Sequence, residues 1–175
     1  MADESTLDLA ELLSGLRGIS PARAAAFVEA ATVCLKGEGH RSGVHLRIAE
    51  SEHGFALTWP VASERAPFSW RDAEEATEDG ATAIALLLVR RLTDFTVIER
   101  SVKGTGIDYW LGYDDPLPFA RSARLEVSGI RRAERSAFDR RVREKRQQTD
   151  RSAGELPAYI AVTEFGTPLS ALVHR

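Results

Sequence analysis

Two carboxylates, Asp108 and Glu126, lie in segments whose other residues are typical of β-strands. The segments are "GIDYWLGY" and "ARLEVSGI", and each carboxylate has an apolar residue on both sides. Strands disfavour Asp, so its presence there calls for a reason. One interpretation is two solvated side chains on the water-facing side of a sheet. The other is a pair of carboxylates that binds a metal ion.

The pair depends on the pairing of the two strands. Side chains alternate between the faces of a sheet, so the carboxylates meet on one face if the strands are neighbours. Close carboxylates repel unless a proton or a cation neutralises them, and oxygen ligands of this kind favour Mg²⁺ or Mn²⁺. Glu99, on a preceding strand, is a further candidate ligand. It lies four residues from Lys103 and is therefore expected on the same face.

The elements that position these residues follow a definite order. The hydrophobic periodicity and turn residues predict helix, three strands, helix and strand, at 72–92, 95–102, 107–113, 123–130, 132–148 and 158–164. The sequence therefore predicts an α+β (α/β-like) fold in which the two helices flank a mixed central sheet.

An N-terminal extension of helices and a hairpin precedes this core. A leucine stripe predicts a helix over 5–16, and Ser20 with Pro21 predicts the start of a second helix that ends at Gly37. Two alternating segments predict a β-hairpin over 43–60, which extends the central sheet or packs beside it. The last residues, "TPLSALVHR", are expected to form a short helix or a tail. We expect residues 1–69 to pack on a core of residues 70–175 in one compact domain.

The order of elements and the two carboxylates resemble the restriction-endonuclease-like, PD-(D/E)xK, nuclease superfamily. In that family an Asp on the second core strand and an acidic residue on the third bind the metal, and an acidic–x–Lys motif supplies a lysine. The resemblance covers a little over half of the chain and matches Asp108 and Glu126 to the two acidic positions. Ser128 stands where the lysine belongs.

The resemblance implies metal-dependent hydrolysis of a nucleic-acid phosphodiester, with Asp108, Glu126 and Lys103 as catalytic residues. Lys103 would supply the missing ammonium from the neighbouring strand, or the chain keeps the fold without the chemistry. The family also uses a glutamate on the first helix, for which Glu75 and Glu78 are both candidates. The metal would be Mg²⁺ or Mn²⁺, held by Asp108 and Glu126, with Glu99 as the additional ligand.

Charge is distributed unevenly along the chain. The net charge is −3, but residues 131–151 contain nine Lys or Arg and four Asp or Glu, so this segment carries +5 and the remainder −8. A basic helix on an acidic body is typical of a nucleic-acid contact surface, and equally of a solvated helix face. Its exposed face is expected to lie outside the core. The candidate phosphate-binding residues are Arg124, Arg131, Arg132, Arg140, Arg141 and Arg143.

Composition excludes several other classes of protein. No apolar run approaches the length of a membrane span, the first residues are acidic, and Cys34 is the single cysteine, so we expect a cytoplasmic protein without disulfides or a membrane partner. The alternative function is a non-catalytic scaffold that binds a partner protein or copies of itself. Convergence of Lys103, Asp108 and Glu126 in a concave site favours the enzyme. A salt bridge from either carboxylate to Arg100 or Arg124 favours the scaffold.

Overall fold

A computed structural model describes residues 5–115, 120–151 and 154–175. Within these ranges the fold is α+β, with one mixed sheet of eight strands and four α-helices, as the sequence predicts. The predicted loop between the second and third core strands lies partly outside the described residues, at 116–119. No helix in the described ranges is long and apolar enough to cross a bilayer.

The elements follow one another in the expected order from residue 73 onward. The strands are β1 (Thr6–Asp8), β2 (Val44–Ile48), β3 (Gly54–Thr58), β4 (Phe95–Arg100), β5 (Tyr109–Tyr113), β6 (Ala123–Ile130), β7 (Ala158–Glu164) and β8 (Leu169–His174). The helices are α1 (Pro21–Gly37), α2 (Ala66–Ser69), α3 (Ala73–Leu92) and α4 (Arg135–Arg151). The predicted helix, three strands, helix and strand are thus α3, β4, β5, β6, α4 and β7.

The sheet runs in the order β1-β3-β2-β8-β7-β6-β5-β4. Strands β4, β5 and β6 form an antiparallel meander, and β7 lies parallel to β6 because α4 carries the chain back across the sheet. The predicted hairpin is β2 with β3, and it extends the sheet through a parallel pairing of β2 with β8. One continuous sheet therefore joins the N-terminal segment to the core.

Helices cover the sheet on both sides, but unequally. The larger apolar cluster fills the side that carries α1 and α3, and the second half of α3 is buried on nearly every face, as its composition predicts. A smaller cluster lies under α4 and contains Phe138, Ile160, Val162, Leu169 and Ala171. Asp72 begins α3 by accepting hydrogen bonds from the amides of Glu74 and Glu75.

Two terminal predictions are wrong. Residues 5–16 form β1 and a 3-10 helix, Leu9–Leu12, in place of a helix, because Leu7 is buried beside Leu57 in the parallel pairing of β1 with β3. The C-terminal segment forms β8 and neither a helix nor a tail. Its alternation sends Leu169 and Ala171 toward the cluster under α4 and Leu172 toward the opposite side.

Candidate active site

Asp108, which directly precedes β5, lies opposite Glu126 of the neighbouring strand β6. Tyr109 pairs with Leu125, so the preceding residue faces Glu126, and the amide of Asp108 donates to the carbonyl of Leu125 at 2.9 Å. One carboxylate oxygen of Asp108 accepts a hydrogen bond from the amide of Val127 at 2.8 Å. The predicted neighbouring of these strands is confirmed, and both carboxylates lie on the face that α4 covers.

A third charged residue, on α4, contacts the carboxylate pair. Lys145 of α4 places its Nζ 2.7 Å from Oε1 of Glu126, and the lysine side chain is only 21% exposed. The side-chain amide of Gln148 donates to the same oxygen at 3.4 Å. Glu126 itself is 4% exposed, so this ion pair is largely shielded from water.

Arg141 reaches the position that the family motif assigns to lysine. Its Nη1 donates to the hydroxyl of Ser128 at 3.0 Å. Four residues of α-helix rise about 6 Å and two residues of strand about 6.6 Å, so Arg141 and Lys145 match the spacing of Ser128 and Glu126. Because α4 runs antiparallel to β6, the helix supplies two cations to a strand that has none at these positions.

Burial and like charge act together on Glu126. Desolvation, and then the negative charge of Asp108, raise the pKa of the Glu126 carboxyl to about 7, against the opposing effect of Lys145. The short contact with Lys145 favours the ionised carboxylate, but loss of hydration outweighs it. At neutral pH the Glu126 carboxyl is therefore partly protonated, and the two carboxyl groups together carry less than two negative charges.

Glu78 of α3 belongs to the same electrostatic cluster. Desolvation raises the pKa of its carboxyl, and the charges of Lys145, Asp108 and Arg141 also act on it. Between the two glutamates that the sequence left open, Glu78 thus lies within electrostatic range of the pair. Glu75 lies at the start of α3, where its backbone amide donates a hydrogen bond to Asp72.

A cavity of about 630 Å³ opens beside the carboxylates. Its lining contains both Asp108 and Glu126, the loop between β4 and β5, and Gln148 of α4. Lys103 lies on this loop and is exposed. Lys103 therefore lines the same cavity as the two carboxylates, and Lys145 makes the contact with Glu126.

Glu99 is not brought to the pair. Both of its oxygens accept hydrogen bonds from Arg121 at 2.9 Å, and Arg121 also stacks 4.4 Å over the ring of Trp110. A bulge in β4 between Val97 and Glu99 shifts the register at this point. β4 ends at Arg100, so strand alternation does not reach Lys103, and Arg121 binds the Glu99 carboxylate.

The structure divides the six predicted phosphate-binding arginines. Arg124 is buried and donates to the carbonyl of Leu156 at 3.0 Å, so it does not present its guanidinium to a ligand. Arg131 and Arg132 both bind the carboxylate of Glu38, which ends α1. Each of these three guanidiniums has a partner within the protein, but the side chain of Arg132 is 77% exposed, so phosphate binding by Arg131 and Arg132 stays a prediction.

The three predicted arginines of α4 differ in exposure. Arg140 and Arg143 are exposed, as predicted for the outer face of the basic helix. Arg140 lies 3.8 Å from Glu144 in an exposed pair that contributes little to stability. Arg141 is turned inward to Ser128, so the basic helix presents cations both to solvent and to the site.

Sequence reasoning missed Lys145 and Gln148. The signal was present, since Phe138, Arg141, Lys145 and Gln148 recur at helical spacing on one face of α4. The apolar members of that stripe, Phe138 and Val142, predict a buried face, but its polar members were not predicted to contact the carboxylates.

The described residues contain no group of three or more His, Cys, Asp or Glu side chains placed to hold a metal ion. In comparisons with known proteins, no protein-family model, no curated protein and no solved structure matches this chain. The function is therefore argued from the site alone.

Proposed function

We propose that this protein is a divergent PD-(D/E)xK-type nuclease that hydrolyses nucleic-acid phosphodiester bonds with Mg²⁺ or Mn²⁺. The observation that carries the proposal is the opposed pair Asp108 and Glu126 with Lys145 2.7 Å from Glu126. In this proposal, Asp108 and Glu126 take the two acidic positions of the family's core, which consists of a helix, a three-strand meander, a crossover helix and a parallel strand.

The donor set fits a small hard cation. Two carboxylates side by side supply oxygen ligands and excess negative charge, and Mg²⁺ is commonly held by one or two carboxylates together with water and substrate phosphate. Asp108 and Glu126 would hold the ion. When bound, it would polarise the scissile phosphate and lower the pKa of its water.

The remaining side chains have separate tasks in this proposal. Lys145 holds Glu126 in place and puts a positive charge next to the pair, where negative charge develops on the phosphate during hydrolysis. Arg141 adds a second cation through Ser128, at the position of the motif lysine. Gln148 fixes the same oxygen of Glu126 from the next turn of α4.

The test combines metal binding with cleavage. Titration calorimetry of the full chain with Mn²⁺ is expected to detect binding that Asp108→Ala and Glu126→Ala abolish. Incubation with single-stranded and duplex DNA and with RNA, with Mn²⁺ or with EDTA, is expected to show metal-dependent cleavage. Glu64→Gln, which changes an exposed carboxylate in a loop, is the matched control.

Substitutions of Lys145 test whether this lysine acts in catalysis or only stabilises the structure. Lys145→Met is expected to lower kcat by about 100-fold or more, as loss of one charge-stabilising donor does elsewhere. Lys145→Arg, which keeps a cation near Glu126, should retain more activity than Lys145→Met. Equal activity of Lys145→Met and the wild-type protein would contradict the assignment.

A non-catalytic scaffold is the alternative, and one observation favours it. The ion pair with Lys145 and the raised pKa of Glu126 already neutralise part of the charge of the carboxylates without a metal. Under this alternative the wild-type protein binds no Mn²⁺ and cleaves neither nucleic acid. The calorimetric titration distinguishes the two functions.

A further inference from the structure

The loop between β4 and β5, residues 101–107, forms one wall of the cavity beside the carboxylates. It is held by its own side chains. The hydroxyls of Ser101 and Thr105 lie 2.5 Å apart, and the Thr105 hydroxyl also lies 3.0 Å from the carbonyl of Val102 and 3.2 Å from that of Ile107. The loop is therefore a fixed turn that projects from the sheet.

Glycines allow this turn to project into solvent. Gly104 and Gly106 have φ of +96° and +75°, in the region that other residues rarely adopt. A Cβ atom built on Gly104 would meet no atom within 4 Å, so open space surrounds the tip. Next to it, Val102 is 73% exposed and Lys103 is exposed.

Lys103 differs in its contacts from several other cations of this protein. Arg121, Arg131, Arg132 and Arg135 all bind carboxylates, whereas Lys103 forms no hydrogen bond or ion pair with any residue in the three described ranges. Glu126 already has Lys145 as its partner. A cation without a partner among the described residues, at the rim of a cavity that Arg100 also lines, is available to an anionic ligand.

We propose that the β4–β5 loop grips the backbone of a polynucleotide beside the bond that is cleaved, an inference that rests on the nuclease function proposed above. Lys103 binds a phosphate outside the scissile one, and Val102 packs against the adjoining sugar. The substrate class is therefore a strand of several nucleotides, and a small phosphodiester makes only part of the contacts.

The position of the loop explains why Lys103 binds a phosphate other than the scissile one. Lys103 lies on the loop that leads to Asp108 five residues later, and both line the cavity, so the loop places the cation beside the carboxylates. Arg100, at the base of the loop, lines the same cavity. The remainder of the chain outside residues 131–151 is strongly acidic and repels phosphates, which restricts a strand to the surface between this loop and α4.

The experiment compares two substrates in the full chain with Mn²⁺. One is an oligonucleotide of about 20 nucleotides, longer than the few phosphates that a cavity of this size spans; the other is bis(p-nitrophenyl) phosphate. Lys103→Ala is expected to lower kcat/KM on the oligonucleotide about tenfold more than on the small diester, the effect of losing one exposed charge-assisted contact. Lys36→Ala, which removes the same charge from α1 in the layer opposite α4, should show no such difference. An equal loss on both substrates, or no loss, overturns the proposal.

Binding separates this proposal from the nuclease function. Fluorescence anisotropy with EDTA measures affinity for the labelled oligonucleotide over a range of salt concentrations. Lys103→Ala is expected to reduce the slope of log affinity against log salt by about 0.9 for a duplex or about 0.7 for a single strand, the contribution of one phosphate contact. If the wild-type protein cleaves neither substrate, the nuclease function is wrong, but the slope still tests whether the β4–β5 loop binds the polynucleotide backbone. A slope equal to that of the wild-type protein, or the absence of binding, overturns the grip.

Discussion

Glu126 should make the stability of this protein decrease as the pH rises toward neutrality. Burial and the charge of Asp108 raise the pKa of its carboxyl in the folded protein from 4.5 to about 7. The folded state therefore binds the proton more tightly than the unfolded state. The stabilisation from this proton is complete below pH 4.5 and is lost as the pH rises through about 7.

The shift sets the magnitude. Each unit of pKa difference corresponds to about 1.4 kcal/mol, so the folded protein loses about 3 kcal/mol of unfolding free energy from Glu126 across this window. Glu126→Gln cannot lose a proton and should remove that loss. At a urea m-value of about 2 kcal/mol/M, the wild-type midpoint should fall by roughly 1.5 M relative to the variant between pH 5 and pH 8.

The assay is urea unfolding with EDTA, followed by tryptophan fluorescence at several pH values. The quantity to compare is the difference in pH dependence between Glu126→Gln and the wild-type protein, because titrating groups distant from Glu126 contribute equally to both. Glu64→Gln, at an exposed position, should follow the wild-type curve. Parallel curves for Glu126→Gln and the wild-type protein would refute the reasoning that burial governs this carboxyl.

Three further predictions concern packing and binding. Gly129→Ala should cost about 1–3 kcal/mol, because its Cβ would lie 2.3 Å from the carbonyl oxygen of Thr77 on α3; an unchanged urea midpoint would contradict this close approach. Phe138→Ala should cost about 3–5 kcal/mol by emptying the cluster under α4, and loss of less than about 1 kcal/mol in the same assay would mean that α4 is anchored elsewhere. Replacing Arg140 and Arg143 together by alanine should reduce the salt slope of duplex binding by about 2, measured by anisotropy, and a slope equal to that of the wild-type protein would exclude the outer face of α4 from binding.

The carboxylate pair was predictable because its geometry is local. Alternation along a strand has a period of two, and a short meander makes the neighbouring of β5 and β6 nearly unavoidable. The identities of Asp108 and Glu126 and their common face therefore follow from the sequence. The same local logic failed for Glu99 and Lys103, because β4 ends at Arg100 and Arg121 binds the Glu99 carboxylate.

The cation of the site was decided by tertiary structure. Which face of α4 meets the sheet depends on Phe138 entering the cluster with Ile160 and Val162, residues more than twenty positions away. That packing turns Lys145 onto Glu126, and no local rule separates it from the eight other basic residues of the segment. Sequence spacing favoured Lys103 because it is near in the chain.

The sequence by itself determined the α+β class, the order of the core elements and the closeness of the two carboxylates, since hydrophobic period and turn residues act over a few neighbours. Only the tertiary structure decided the two ends of the chain and the partners of the charges. Leu7 and Leu169 become strand residues because distant strands offer them hydrogen bonds and apolar cover. In the same way, the fold brings acceptors from other segments to Arg124, Arg131 and Arg132.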